Sequence, residues 1–145
     1  MEFNWINLIN FCFLAAILLP NMIYAAKGGT DPKAPNRFVE ILEQVGRYAS
    51  MGLMVLPLLV WEFGFSSVTA MLIWMLGCIG LILAYWVFWI FFFRKVTLTG
   101  AMALAILPAC VFALCGICLR HWLLLLSAVV FAVGHISITY ATHKK

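Results

Sequence analysis

The chain has 145 residues, of which 66% are hydrophobic and 10% are charged, and its formal net charge is +4. A soluble domain is about 45–50% apolar and about 25% charged, so this composition excludes a water-soluble globular protein. The basic residues are spread over short connections, which argues against a nucleic-acid partner and for a membrane protein surrounded by lipids.

Five apolar segments are each long enough for a helix that crosses about 30 Å of hydrocarbon, which takes about 20 residues. They predict an all-α integral membrane bundle of five transmembrane helices, with residues 1–145 forming a single domain. The predicted helices cover residues 4–26, 37–61, 67–93, 99–119 and 121–142. The stretch "AKGGTDPKAPN" between the first two helices carries Gly, Asp and Pro, and we expect it to form a loop.

Lysine and arginine lie mostly at one end of the predicted bundle. The first loop, the third loop and the C-terminal tail carry Lys27, Lys33, Arg37, Arg94, Lys95, Lys144 and Lys145. The opposite end has only Arg120, in the fourth loop. Because cytoplasmic loops of membrane proteins hold the excess of Lys and Arg, we predict a plasma-membrane protein with its N-terminus outside and its C-terminus in the cytoplasm.

The second predicted helix begins with charged residues although it has to cross the bilayer. Glu43 and Arg47 are four residues apart with the acid first, the order that favours an ion pair on one helix face. Counting about 20 residues back from Trp61 reaches the residue before Glu43, so these charges enter the membrane unless the bilayer thins. In one interpretation Arg47 extends to lipid headgroups. In the other, the stripe of Glu40, Glu43, Arg47 and Ser50 faces the bundle interior.

One side of the first helix carries the asparagines of its apolar part. The stripe has helical spacing and consists of Asn7, Asn10, Leu14, Ile17, Asn21 and Tyr24. Such a face indicates burial against protein rather than lipid. Hydrogen bonds between helices would explain it structurally, and a polar pocket near Asn21 and Tyr24 is the alternative.

The fifth helix carries an ionisable residue, His135, on a face of small and polar side chains that includes Ala128, Ala132, Thr139 and Thr142. An ionisable group inside a membrane is a functional-site hypothesis by default. The alternative is a histidine that serves as a structural hydrogen-bond donor. Histidine is the side chain that ordinarily changes charge near neutral pH, so His135 would act as the switch of such a site.

The central hypothesis is that the polar faces of the first, second and fifth helices converge in the cytoplasmic half of the bundle. The predicted ligand or proton pocket consists of Glu43, Arg47, His135, Asn21, Tyr24 and Thr139. We predict no catalytic residue, no cofactor and no metal site, because the sequence holds no phosphate-binding loop and no metal-ligand cluster.

The five cysteines all fall in apolar segments, and their odd number argues against a disulfide framework. Cys115 and Cys118 form the motif "CGIC", and membrane oxidoreductases use such a pair to exchange electrons with a quinone. Here the motif has no second pair and no polar activating neighbour along the sequence. We therefore interpret these cysteines as small buried residues.

The fourth helix has the pattern of a packing element. Its alanines recur every four residues, at Ala101, Ala105, Ala109 and Ala113. Small residues at this spacing form a ridge that lets membrane helices approach closely.

The segments "NWINLI", "LLPNMIYA", "EQVGRYASMGLMV", "WEFGF", "AMALAILPA", "LRHWLLL" and "FAVGHISITY" resemble a family of small uncharacterised membrane proteins of bacteria, mostly Firmicutes. The resemblance covers nearly the whole chain. It implies a single polytopic domain and no particular activity.

Three functions are compatible with these features. The first is binding or transport of a small polar or anionic ligand, with Glu43 and Arg47 coordinating it and His135 taking a proton. The second is a membrane enzyme acting on a lipid, with His135 as general base and Arg47 holding a phosphate. The third is a non-catalytic subunit whose polar stripes only hold helices together. Because five helices do not divide into an inverted repeat, we expect a homodimer or a larger membrane complex.

Overall fold

A computed structural model describes residues 5–28, 36–55, 67–95 and 97–143. The helices are α1 (Trp5–Ala26), α2 (Arg37–Val55), α3 (Val68–Arg94), α4 (Leu98–Cys118) and α5 (Trp122–His143). The described ranges contain no strand, so the predicted all-α class is confirmed for them. Four helices begin and end within one residue of the predicted bounds. The helix α2 begins at the predicted Arg37, and its predicted continuation to Trp61 lies outside the described residues.

Four of the five helices are long and apolar enough to cross a membrane, namely α1, α3, α4 and α5. Their outer faces carry large apolar side chains such as Leu76, which is 67% exposed. Apolar surface of this kind is compatible with lipid as the surrounding solvent, because a helix satisfies its own backbone polar groups there. The helix α2 is not among the four, since it carries four charged side chains between Arg37 and Arg47.

The helix α4 lies at the centre of the bundle. It packs along α3 and along α5, and it also touches α2. Ala101, Ala105 and Ala109 are buried and Ala113 is partly buried, as the predicted small-residue ridge requires. The helix α2 packs along α5, and α1 lies against α3 and α2, which completes the bundle.

The connection between α4 and α5 is a tight turn that forces the two helices to lie side by side. Arg120 has a positive φ of 55°. The backbone N–H of Arg120 donates to Ile117 O at 3.3 Å, and that of His121 donates to Gly116 O at 2.8 Å. These two bonds form the helix-ending motif in which glycine usually takes the left-handed position. Gly116 has no room for a side chain, because a Cβ there would lie 2.8 Å from the backbone nitrogen of Leu125.

The closest approach of α2 and α5 is made by one glycine on each helix. A Cβ on Gly134 would lie 2.7 Å from the backbone nitrogen of Glu43. A Cβ on Gly46 would lie 2.5 Å from the Cα of Phe131. Both distances are shorter than van der Waals contact, so the two backbones touch directly. This contact lies next to His135 in the sequence of α5 and within one turn of Glu43 in α2.

Candidate functional site

Three charged or ionisable side chains meet where α2 packs on α5, and we call Glu43, Arg47 and His135 the α2–α5 site. Arg47 donates to Oε1 of Glu43 from Nε at 2.8 Å and also from Nη2. His135 Nδ1 lies 3.5 Å from the same oxygen. The Glu43 side chain is 4% exposed. One buried carboxylate oxygen therefore holds both basic groups.

Local sequence and helix packing fix different parts of this geometry. Arg47 follows Glu43 by one helical turn, so the pair forms within α2 without help from another helix. His135 reaches the carboxylate because Gly134, the residue before it, packs directly on the backbone of Glu43. The α2–α5 site therefore depends on the glycine contact between the two helices.

The imidazole of His135 is held on its other side by an aromatic ring. It stacks on Phe131, with ring centroids 4.9 Å apart and an interplanar angle of 15°. Phe131 in turn makes an edge contact with Phe112 of α4, at 5.7 Å between centroids. A ring face stabilises a cation placed over it, so this arrangement suits the protonated imidazole as well as the neutral one.

The two basic side chains are partly open to the surroundings. The Arg47 side chain is 38% exposed and the His135 side chain is 27% exposed, in contrast to the buried Glu43. A guanidinium carries several N–H donors in a planar fork, and Glu43 accepts from only two of its nitrogens. Within the described part of the chain, the site is thus a buried acid that orients two accessible basic groups.

The other predicted pocket residues have different surroundings. Thr139 is buried and lies one turn after His135 on α5. Asn21 donates from Nδ2 to the hydroxyl oxygen of Tyr85 at 2.7 Å and to Ile17 O at 2.9 Å. Tyr24 packs against Trp89, with ring centroids 5.2 Å apart. Asn21 and Tyr24 therefore contact α3.

The polar faces of α1, α2 and α5 were expected to converge, but only those of α2 and α5 meet at the α2–α5 site, and Asn21 and Tyr24 of α1 contact α3 instead. The structure brings Glu43, Arg47 and His135 together, whereas the C-terminal end of α1 contacts the phenol and aromatic rings of α3. The reason is that periodicity shows which residues share a face of α1 but not which neighbour that face meets. The face with Asn21 meets α3, where the hydroxyl oxygen of Tyr85 accepts a hydrogen bond from the Asn21 side chain.

The N-terminal end of α1 has the interhelical hydrogen bonds that one interpretation of its stripe predicted. Asn7 donates to Val55 O at 2.7 Å, and Asn10 donates to Met54 O at 2.9 Å. Both asparagines are fully buried. These bonds tie the start of α1 to the last described turn of α2.

A second group of polar side chains lies inside the bundle, and we call Asn10, Trp74, Cys78 and Cys115 the core network. The Asn10 Oδ1 atom accepts a hydrogen bond from Trp74 Nε1 at 3.1 Å and lies 3.7 Å from the Sγ of Cys115. That sulfur lies 3.7 Å from the Sγ of Cys78. All four side chains are fully buried.

The core network was not predicted from the sequence. The motif at Cys115 has no polar neighbour within its own helix, but Asn10 and Cys78 reach it across 105 and 37 residues of chain. No spacing rule connects residues so far apart. The sequence predicted only one feature of the core network, the burial of Asn10, which follows from the stripe on the first helix.

The fold and the α2–α5 site together define a helical membrane protein with a charged cluster between two helices. Within the described residues, no group of three or more His, Cys, Asp or Glu side chains could hold a metal ion. The chain matches no protein-family model, no curated protein and no solved structure. The resemblance to a bacterial membrane family therefore stays a prediction.

Proposed function

We propose that this membrane protein binds or transports a small anionic ligand at the α2–α5 site. The observation that carries the proposal is the contrast in exposure within the site. Glu43 is buried, and its carboxylate contacts Arg47 and His135. Both basic side chains are partly exposed. Such an arrangement presents positive charge and N–H donors in a fixed geometry, which suits a carboxylate or phosphate group.

The proposal includes α2 as a fifth membrane-crossing helix. Exposed apolar side chains form a stripe along α2, and the exposed Arg37, Glu40 and Gln44 lie near its N-terminal end. The exposed stripe consists of Phe38, Ile41, Val45 and Tyr48, which are 51–70% exposed. The helix also packs along α5, a candidate span, with its residues 43 and 46 against residues 134 and 131. This antiparallel register supports a shared depth for the two helices.

The proposed orientation puts the α2–α5 site near the cytoplasmic end. In the described part of the chain, Lys27, Arg37, Arg94 and Lys95 lie at the ends of helices that meet on one side, opposite Arg120. Glu43 is six residues after Arg37, or about 9 Å along the helix at 1.5 Å per residue. A basic rim of this kind raises the local concentration of anions.

The three residues have distinct roles in this proposal. Glu43 acts as a positioning residue, because its carboxylate is buried and already accepts bonds from Arg47. Arg47 and His135 meet the ligand. His135 places a second nitrogen-bearing side chain on the same carboxylate oxygen as Arg47, so both side chains should contribute to anion binding. The expectation that Glu43 itself coordinates the ligand is thereby changed.

The experiment measures anion binding by the full chain in lipid nanodiscs and anion flux in liposomes. The probes are phosphate, sulfate, acetate and succinate, each at pH 6 and pH 8. We expect at least one of the four anions to bind. Arg47→Gln should weaken binding roughly 10–100-fold, since a charge-assisted hydrogen bond contributes about 1.5–3 kcal/mol, and His135→Gln should weaken it by a smaller factor.

The matched control is Arg94→Gln, which removes an exposed basic side chain outside the site and should change binding less than about threefold. The proposal fails if none of the four anions binds at either pH. It also fails if Arg47→Gln and His135→Gln lower thermal stability but leave binding unchanged, because the cluster would then only hold α2 and α5 together.

A further inference from the structure

Two thiols of the core network lie side by side although they belong to different helices. The Sγ atoms of Cys78 on α3 and Cys115 on α4 are 3.7 Å apart, and both side chains are fully buried. The S–S bond of a disulfide is about 2.05 Å long. Closing this gap takes a movement of less than about 2 Å shared between two helices that already pack along each other.

Hydrogen bonds orient the two sulfurs. Cys115 donates its thiol hydrogen toward Oδ1 of Asn10, which also accepts from Trp74. With its own proton directed at Asn10, Cys115 presents sulfur lone pairs to the thiol of Cys78. Asn10 is itself fixed by its bond to Met54 O. The pair is thus held in contact by a network that reaches α1 and α2.

The pair in space differs from the pair in the sequence motif. Cys115 and Cys118 are three residues apart on one helix, where Cβ atoms are about 5–6 Å apart. A disulfide requires Cβ atoms about 3.5–4.5 Å apart, so this pair closes only if the last turn of α4 unwinds. Cys78 lies on the neighbouring helix α3, so it can form a disulfide with Cys115 without any unwinding of α4.

We propose that Cys78 and Cys115 are a modification site, at which a hydroperoxide forms a reversible disulfide between α3 and α4. The sulfur of one thiol attacks the O–O bond of the hydroperoxide as its proton passes to the departing oxygen, so that a sulfenic acid forms and an alcohol leaves, or water from hydrogen peroxide. The second thiol then attacks the sulfenic sulfur, so the S–S bond forms and water leaves. The two thiols lose two electrons and two protons, and a dithiol reductant restores them. This chemistry is independent of the α2–α5 site.

The oxidant has to be small or lipid-soluble, because neither thiol has exposed surface. Lipid hydroperoxides arise in the same phase that surrounds the bundle. The exposed Cys12 provides an internal reference, since it meets the oxidant without any opening of the bundle.

The test treats the full chain in nanodiscs with cumene hydroperoxide and then blocks the remaining thiols with N-ethylmaleimide. Mass spectrometry of the intact chain should show at least two fewer maleimide additions than in the untreated chain, and non-reducing peptide mapping should join the peptides of Cys78 and Cys115. Dithiothreitol should reverse both changes. This mapping on the unsubstituted chain identifies the pair without relying on any variant.

Matched substitutions then confirm the assignment. Cys78→Ser and Cys115→Ser should each abolish the cross-link, whereas Cys118→Ser and Cys12→Ser should retain it. A cross-link between Cys115 and Cys118 would overturn the proposal. So would the absence of any disulfide under conditions in which Cys12 is oxidised.

Discussion

The α2–α5 site and the core network place polar side chains inside an apolar bundle in opposite ways. The core network is neutral and fully buried, and its members bond to one another and to a backbone carbonyl. The α2–α5 site contains ionised groups, and both of its basic side chains keep contact with the surroundings. Burying a charge is expensive unless it is paired, whereas neutral hydrogen-bonded groups are tolerated. The core network thus joins helices through neutral groups, among them the thiol pair of the further inference, whereas the charged α2–α5 site is the one that we propose for ligand binding.

Magnitudes support this division. A hydrogen bond between membrane helices contributes about 0.6 kcal/mol on average and at most about 1.7 kcal/mol. Placing an arginine at the centre of a bilayer costs about 2.5–3.5 kcal/mol on insertion scales, and less near its edge. A charged cluster is therefore a poor way to join two helices, and helix association alone does not explain Glu43 and Arg47.

The largest expected effect comes from the glycine contact that creates the α2–α5 site. Gly46→Ala puts a Cβ against the backbone of Phe131, which no side-chain rotation can relieve. Overpacking of this kind costs about 1–3 kcal/mol, and we expect the upper part of that range. Thermal unfolding in detergent, followed by size-exclusion fluorescence, measures the loss. Separation of α2 from α5 should also remove anion binding.

Gly52 supplies the matched control on the same helix. It is exposed, and a Cβ there would have no described atom within 4 Å. In a helix interior, replacing glycine by alanine usually gains about 0.5–1 kcal/mol, so Gly52→Ala should hold or raise the melting temperature. Equal melting temperatures for the Gly46 and Gly52 variants would contradict the backbone contact.

The next largest effect is expected in the core network. Asn10→Ala leaves Trp74 Nε1 and Met54 O without their bonds to Asn10 in a fully buried place. An unsatisfied buried group costs about 1–3 kcal/mol, so the melting temperature should fall clearly. Anion binding at the α2–α5 site should stay unchanged in the folded fraction. Loss of binding without loss of stability would reverse the roles of the two regions.

The sequence predicted the local parts of this structure and missed the parts that depend on distant residues. The bounds of α1, α3, α4 and α5 follow from hydrophobic length, and the burial of Asn7 and Asn10 follows from the stripe on α1. The pair of Glu43 and Arg47 follows from a spacing of one helical turn. Each of these inferences uses residues within one helix.

Contacts between helices were harder to predict. His135 meets Glu43 through the glycines at 46 and 134, which carry no distinctive local pattern in the sequence. Asn21 faces Tyr85 rather than α5, because helix neighbours are set by packing of the whole bundle. The motif at residues 115–118 pairs Cys115 with Cys118 on the same helix, whereas the thiol that Cys115 contacts belongs to Cys78 on α3.

A smaller effect is expected at the contact between α1 and α3. Tyr85→Phe removes the hydroxyl that accepts the bond from Asn21, which is partly exposed and keeps its second bond to Ile17 O. We expect a loss of about 0.6 kcal/mol, the average for such a bond in a membrane protein. Tyr140→Phe, on an exposed part of α5, controls for loss of a phenol. If Tyr85→Phe changes anion binding, Asn21 belongs to the ligand site, as the sequence analysis expected.

One effect is expected to have the opposite sign. Ser50 is fully buried on the face of α2 that carries Glu43 and Gly46, and its hydroxyl has no hydrogen-bond partner among the described residues. Ser50→Ala should therefore raise stability by up to about 1 kcal/mol, since it removes an unsatisfied buried group. Ser127→Ala on α5 controls for the better helix propensity of alanine. If Ser50→Ala instead destabilises the protein and weakens anion binding, its hydroxyl has a partner in the ligand-bound state, and the α2–α5 site extends one turn further into the bundle.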